Sequence, residues 1–349
     1  MNETHPPEIR VANPVLVEVT RGHLVESVHR GSVAVTNARG ETIFALGDTA
    51  LPVYPRSALK PIQALPLVES GAADAFGVRE EEIALACASH SGEPMHTTRV
   101  AAWLARLGLG ECDLACGAHS SRYEPVAEDM IRRGEAPTRI HNNCSGKHTG
   151  FLAVARYWSV ATAGYERHEH PVQQAVAKAL GELAGVSGDL PWGVDGCAAP
   201  NFALPLAAFA HALAQLGDPA GLPPNRAQAA KRIVAAMTAH PELVAGTGRA
   251  CTLLMRKGRR RVAVKTGAEG VYAAIVPGRG IGIALKIDDG AGRAAETAIA
   301  CLLARMGLVE YDSVRELAAA PVINTRGTVV GERRPAGALA EAQLPQLGA

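Results

Sequence analysis

The sequence has no excess of charge and no long apolar run, and each absence excludes a class of protein. Its 35 Lys and Arg residues balance 34 Asp and Glu residues, so no general field attracts nucleic acid or an anionic membrane. No run approaches the roughly 20 apolar residues of a membrane span. The N-terminal segment lacks the charged-then-apolar order of a secretory signal, which predicts a cytoplasmic protein.

Paired-cysteine spacing is also missing. The seven cysteines are scattered, odd in number, and include no Cys-x-x-Cys; no His-x-x-x-His is present either. In a reducing compartment this pattern favours free thiols, reactive groups or metal ligands over disulfides.

What the chain does have is strand-like sequence at both ends and helical periodicity between them. Segments 15–20, 24–28, 31–37 and 42–48 are short and rich in Val, Ile and Thr, and a β-like piece occurs at 83–89. Strands return in 251–267, 271–277 and 280–287, and a helix follows at 291–307.

This order predicts one α+β (α/β/α) catalytic domain over residues 14–334. Its antiparallel sheet comes from both chain ends, about 14–50 and 250–310, and is flanked by helices. A mainly helical lobe occupies about 57–245. The tail, 335–349, has no clear period and is expected to be loosely ordered.

The first candidate motif is Ser57-Ala58-Leu59-Lys60. Residues three apart on a helix are neighbours, so Lys60 could take a proton from the Ser57 hydroxyl if its own pKa were lowered. The alternative is that Ser57 caps the helix and Lys60 is solvated.

A second motif, Lys265-Thr266-Gly267, ends an apolar strand late in the chain. Ser-x-x-Lys followed by Lys-Thr-Gly is the signature order of serine β-lactamases and penicillin-binding proteins, although their middle Ser-Asp-Asn is absent. Ser89, between the two motifs, could be a second nucleophile, a proton relay or an ordinary strand-end hydroxyl. Lys265 alone could equally be a hairpin lysine.

Two cysteines stand beside glycines in polar surroundings: Cys144, near Lys147 and His148, and Cys197, two residues after Asp195. Thiolates are typical zinc ligands. The spacing supports a metal only weakly, and two buried cysteines in turns would look the same.

With these motifs in view, the sequence resembles the rhizobial-type (class 3) L-asparaginases from about residue 14 to 334. The matching segments are PRSALKP, ACASHSGE, HNNCSGKHTGFL, GVDGCAAPNFALPL, VAGTGR and VAVKTGAEG. The resemblance implies a serine β-lactamase-like fold, a homodimer, and hydrolysis of L-asparagine to L-aspartate and ammonia.

The resemblance also implies roles for individual residues. It implies two Ser-Lys pairs, Ser57 with Lys60 and Ser89 with Lys265, of which we expect Ser57 to attack the amide. It implies a zinc site at Cys144, Lys147 and Cys197. The residues expected to bind substrate are Arg56, Asn143, His148, Asp195, Thr266 and Gly267. A glutaminase, a β-lactam-processing enzyme and a non-catalytic amino-acid- or metal-binding relative are the alternatives.

Overall fold

A fourteen-residue strand, Leu24–Asn37, organises the sheet. Its first half pairs with Val15–Arg21, and its second half, from residue 31 on, pairs with Ile281–Ile287. Segments 24–28 and 31–37, expected as two strands, are therefore one. The second half is buried and the first largely exposed, so this strand joins the core of the sheet to its outer end.

The computed structural model describes residues 12–347. The prediction of a cytoplasmic protein is based on the N-terminal segment, and most of that segment, residues 1–11, lies outside the described residues. The strands are β1 Val15–Arg21, β2 Leu24–Asn37, β3 Thr42–Leu46, β4 Pro52–Val53, β5 Trp192–Val194, β6 Pro200–Phe202, β7 Leu204–Pro205, β8 Ala263–Thr266, β9 Val271–Val276, β10 Ile281–Ile287, β11 Ala320–Ile323 and β12 Val329–Pro335. The main sheet runs β11-β12-β1-β2-β10-β9-β8, with β3 also on β2, and two short pairs, β4-β7 and β5-β6, stand apart.

Every strand pairing recorded in the main sheet is antiparallel. The helices are α1 Lys60–Gln63, α2 Leu65–Glu69, α3 Ala72–Ala75, α4 Glu80–Ala86, α5 Pro94–Arg106, α6 Glu124–Arg132, α7 Ser145–Tyr157, α8 Pro171–Ala184, α9 Leu206–Gly217, α10 Pro224–Ala239, α11 Pro241–Val244, α12 Ala250–Lys257, α13 Gly292–Arg305, α14 Tyr311–Ala318 and α15 Gly337–Glu341. Short 3-10 helices occupy Arg56–Leu59, Glu111–Asp113, Arg139–His141 and Pro219–Gly221.

The sheet is flanked by helices. Helix α9 packs on β2, β9 and β10, and α13 packs on β1, β9, β10 and β12. Their apolar residues recur at helical spacing, which gives each helix a face to bury against the strands. The α+β fold, with an antiparallel sheet assembled from both chain ends, is thus confirmed. In the part of the chain described, no helix is long and apolar enough to cross a membrane.

One predicted strand segment is wrong and another is too long, because the first and the start of the second form helices. The piece at 83–89 lies mostly in α4, whose first turn holds three glutamates; negative charge favours a helix N-terminus. The start of 251–267 lies in α12, where Cys251, Leu254 and Met255 are buried at helical spacing. The strand begins only at Ala263, after positive-φ turn residues at 259 and 260.

The C-terminal tail is packed rather than loosely ordered as far as residue 347. Leu339 in α15 is fully buried, and this helix lies against β1. The guanidinium of Arg305 donates to the carbonyl of Ala340 at 3.1 Å, and Leu347 N donates to Met306 O at 2.8 Å. Apolar burial and these hydrogen bonds hold a segment whose sequence shows no clear period.

Candidate active site

A cavity of about 350 Å³ collects most of the predicted site residues. Its wall is formed by 56–57, Ser89, 142–144, 195–197 and 266–268, together with His119, Arg122 and Arg249. All of these residues lie in or beside the helical lobe except 266–268, which begin at the last residue of β8 in the sheet. The cavity therefore lies where the lobe meets the sheet, and its volume suits a small molecule.

Gly267 allows the sheet to approach the lobe at this point. A Cβ atom on Gly267 would lie 2.5 Å from the carbonyl oxygen of Pro55, closer than real Cβ contacts. Its N–H donates to Val271 O at 2.8 Å, which fixes the turn after β8. Gly267 thus sets the Lys265-Thr266-Gly267 segment beside Ser57. Its own N–H is occupied by Val271 O and is therefore not available to an oxyanion.

Ser89 is held between two lysines. Its Oγ lies 3.0 Å from Lys60 Nζ and 2.8 Å from Lys265 Nζ. Its backbone N–H donates to Val244 O at 2.9 Å, which fixes it just beyond the end of α4. Both lysines are almost completely buried, at 1% and 2% exposure. The structure therefore directs both amines to one hydroxyl.

The two lysines differ in their hydrogen bonds. Lys60 Nζ has three acceptors: Ala88 O at 2.5 Å, Ser89 Oγ at 3.0 Å and Cys144 Sγ at 3.0 Å. These match the three N–H donors of an ammonium group. Lys265 donates to Thr266 O at 2.8 Å and otherwise contacts only Ser89.

The charge of Lys265 follows from its surroundings. Burial, reinforced by the nearby charge of Lys60, lowers the pKa of Lys265 from its ordinary 10.5 to about 7. A large share of Lys265 is then neutral near pH 7, with a lone pair able to accept the Ser89 proton. Ser89 can accept from Lys60 and donate to Lys265 at the same time.

Ser57 lines the cavity, but among the described residues its hydroxyl forms no hydrogen bond with Lys60 Nζ. The expected contact is absent because Ser57 lies in a 3-10 turn, while Lys60 begins the following helix and reaches towards Ser89. The capping alternative is also wrong, because Pro55 holds the N-cap position and Lys60 is buried. As a first-turn residue, Ser57 retains a backbone N–H without an intrahelical acceptor.

Arg56 and Asp195 form an ion pair on the cavity wall. Asp195 Oδ1 accepts from Arg56 Nη2 at 2.9 Å and Nε at 3.2 Å, and from Gly196 N at 2.6 Å. Burial opposes the charge of Asp195, but Arg56 outweighs it and lowers the Asp195 pKa. Arg56 has φ +53°, an unfavourable conformation for a side-chain-bearing residue. Asp195 Oδ2 is left for a ligand.

Cys144, Lys147 and Cys197 also come together, next to the lysines. Lys147 Nζ donates to Cys197 Sγ at 3.0 Å, and Cys144 Sγ lies 3.3 Å from Asn143 Oδ1. A hydrogen bond between the two thiols lowers the pKa of Cys197 well below 9 and raises that of Cys144 to about 12. Burial alone would lower the pKa of Lys147, but the sulfurs raise it.

This trio fits a zinc ion chemically, because two sulfurs and one amine are borderline-soft donors. A zinc-bound lysine must be the neutral amine, so metal binding would release its proton. Within residues 12–347 no three His, Cys, Asp or Glu side chains are grouped as metal ligands; the trio contains only two such residues.

His148 is the one predicted substrate-binding residue that the structure keeps away from the cavity wall. It is fully buried, and its Nδ1 is 2.7 Å from the Tyr165 hydroxyl, which itself accepts from Ala115 N. Burial, together with Lys147, lowers the pKa of His148 to about 3. It belongs to the packing beneath the Cys-Lys trio, and the expected contact with substrate is not supported.

Arg122, Arg249, His119 and Asn142 line the cavity without having been predicted. Arg249 ends the VAGTGR segment of the family resemblance, so the sequence did contain a signal for it. Arg122 stands in a loop without any pattern, and only the tertiary fold brings it to the wall.

The family follows from the sequence as a whole. Residues 17–335 match the model of the L-asparaginase II family. The chain belongs to the L-asparaginase II family. That membership confirms the resemblance. No curated protein sequence matches this asparaginase II family member significantly.

Solved structures similar to this family member include Mglu in its native form (14% identity, TM-score 0.44), covering 76% of this chain and 61% of Mglu. A β-lactamase from Mycobacterium bovis has 16% identity and a TM-score of 0.40, and the match covers 76% of this chain and 89% of the β-lactamase. A simvastatin synthase mutant from Aspergillus terreus has 10% identity and a TM-score of 0.37, and the match covers 74% of this chain and 86% of the synthase. The chain spans less than two thirds of the length of Mglu.

Proposed function

We propose that this protein hydrolyses L-asparagine to L-aspartate and ammonia, with Ser89 as the nucleophile. The observation that carries the proposal is the Ser89 hydroxyl held by Lys60 and Lys265 at the cavity wall. Family membership supports amide hydrolysis. The sequence assigned the attack to Ser57, but the hydrogen bonds favour Ser89.

In the first half-reaction, Ser89 Oγ attacks the side-chain amide carbon while neutral Lys265 takes the hydroxyl proton. The C–N bond then breaks, the proton passes from Lys265 to the leaving nitrogen, and ammonia departs. Lys60, as the ammonium, holds Ser89 in place and offsets negative charge that develops beside it. The free N–H of Ser57 is the donor available to the oxyanion.

In the second half-reaction, water replaces ammonia. Lys265, neutral again, takes a proton from the water as its oxygen attacks the acyl carbon. The Ser89 ester bond breaks, Lys265 returns the proton to Ser89, and the new β-carboxyl group of L-aspartate releases the second water proton to solvent. Asp195 Oδ2, the oxygen not used by Arg56, is the acceptor available to the substrate α-ammonium.

We also propose that Cys144, Lys147 and Cys197 hold zinc. A bound ion would neutralise the two thiolates and would replace the Lys147 ammonium as the positive charge beside them. Elemental analysis of the purified protein and of its Cys197→Ala variant checks this, because the variant is expected to lose the metal. We further propose that the protein is a homodimer, as the resemblance implies, and that it is cytoplasmic.

The test measures ammonia release from L-asparagine and L-glutamine, and the absorbance change on ring opening of a chromogenic β-lactam, at pH 7 to 9. We expect L-asparagine to be preferred and Ser89→Ala to lose about 1,000-fold or more in kcat, since the nucleophile acts as a unit with its base. Exposed Ser187→Ala is the control. Mass spectrometry of the trapped acyl-enzyme should find the adduct on Ser89.

Three outcomes would change the proposal. An adduct on Ser57 would reverse the roles of the two serines. Faster hydrolysis of L-glutamine or of the β-lactam would move the substrate to one of the alternatives. No hydrolysis of any of the three compounds, by folded protein, would favour a non-catalytic binding relative.

A further inference from the structure

Two arginines on the cavity wall have no anionic partner. Within residues 12–347, the guanidinium groups of Arg122 and Arg249 form no recorded ion pair or side-chain hydrogen bond, and Arg249 Nη1 is buried without an acceptor. Arg56, the third arginine of the wall, is by contrast paired with Asp195. Buried donors without an acceptor are rare in native proteins, so each calls for an explanation.

Both arginines are tied to the segment that follows the nucleophile. The backbone N–H of Arg122 donates to Ser91 O at 2.8 Å. The loop before Arg249 is fixed through Thr247, whose N–H and Oγ1 donate to Glu93 at 2.9 and 2.6 Å. The geometry of Ser89 and that of both guanidinium groups therefore depend on one stretch, 89–93.

Gly246 permits this arrangement. Its φ is +127°, and a Cβ atom there would lie 2.4 Å from Ser91 Oγ and 2.5 Å from Glu93 Oε1. Only glycine can take this conformation in so close a space. The loop that carries Arg249 is therefore packed directly on the segment after Ser89.

The charges of the wall are unbalanced. Three arginines face one aspartate, although the whole chain is almost neutral. Arg122 and Arg249 line the same cavity. Two cations with free donors on one wall attract an anion, and the planar fork of a guanidinium matches a carboxylate.

We infer that Arg122 and Arg249 bind the carboxylate of the substrate. The substrate class is then a small amide that also carries a free carboxylate, such as an α-amino acid with a side-chain amide. The inference rests on the proposed amide hydrolysis for the other half of the substrate. It adds two specificity-determining residues that the Ser-Lys and Cys-Lys motifs do not contain.

The binding test uses Ser89→Ala protein, which holds L-asparagine without turning it over. Isothermal titration compares L-asparagine with 3-aminopropanamide, the same amide without its α-carboxylate. Adding Arg122→Gln or Arg249→Gln should weaken L-asparagine binding roughly 10- to 100-fold, as expected for lost charged hydrogen bonds. Binding of 3-aminopropanamide should change less than about threefold.

Two further variants separate recognition from folding. Arg249→Lys keeps the charge and loses the fork, so its affinity for L-asparagine should lie between those of the parent and Arg249→Gln. Exposed Arg326→Gln is the matched control and should bind as the parent does. A melting temperature within about 2 °C of the parent shows that each variant is folded.

Turnover by the otherwise unaltered protein completes the test. The Arg→Gln variants should raise KM for L-asparagine far more than they lower kcat. Unchanged affinity and unchanged KM in both variants would overturn the carboxylate site even if the protein is an active asparaginase. Arginine-dependent binding of L-asparagine without ammonia release would instead overturn the proposed reaction and leave the carboxylate site standing.

Discussion

Lys265 and Lys147 are buried to the same degree in one small region, yet they differ in charge. Their exposures are 2% and 3%. Lys265 contacts a hydroxyl and a carbonyl close to the cation Lys60, and its pKa falls to about 7. Lys147 contacts the Cys197 sulfur, and its pKa rises. Burial acts on both lysines in the same direction, so the charges of their neighbours account for the difference between their pKa values.

Among the changes that test this comparison, removing the amine of Lys265 should have the largest effect on activity. Lys265→Met leaves Ser89 without a base, so kcat for L-asparagine should fall about 100- to 10,000-fold. The measurement is steady-state ammonia release with melting temperature as a check of folding. Exposed Lys231→Met is the control. Activity within threefold of the parent would show that Lys265 is not the base.

Removing the partner of Lys147 should mainly cost stability. Cys197→Ala leaves a buried ammonium without its counterion, so the free energy of unfolding should fall by about 3 kcal/mol. Urea denaturation of metal-free protein measures it, with exposed Cys112→Ala as the control. Lys147→Met in the same chain should restore part of the loss. Equal stability of the parent and Cys197→Ala would contradict the ion pair.

The pH profile should give the smallest effect. Lys265 accepts a proton only when neutral, so kcat/KM should fall below pH about 7, approaching tenfold per pH unit, and level off above it. Lys60→Gln removes the cation that helps to lower the Lys265 pKa. The variant should be slower, and its kcat/KM should begin to fall at a higher pH than in the parent. A fall at the same pH in both proteins would mean that burial alone sets the pKa of Lys265.

The sequence predicted much of the site because its motifs are short and contiguous. Ser-x-x-Lys, Lys-Thr-Gly and the two cysteine segments identified the lysines and cysteines that the fold brings together. The pairing of Ser57 with Lys60 failed, because the three-residue rule assumes a continuous α-helix and a 3-10 turn precedes Lys60.

Other features depend on contacts that no local pattern encodes. The position of Arg122 depends on a backbone hydrogen bond to Ser91, and that of Arg249 on Glu93 through Thr247. The expected strand at the start of 251–267 is a helix because its apolar residues also fit a helical face. The tail is ordered by Arg305, more than 30 residues earlier in the chain.

The hydrogen bond between Lys265 and Ser89 joins residues that are 176 positions apart. No local fragment of the chain therefore contains the serine together with its base. The Ser89–Lys265 pair cannot form within any single helix or hairpin. The chain between the two residues must close into a long loop, which is entropically costly and slow. During synthesis, the nascent chain therefore contains Ser89 without its base until β8 has been made.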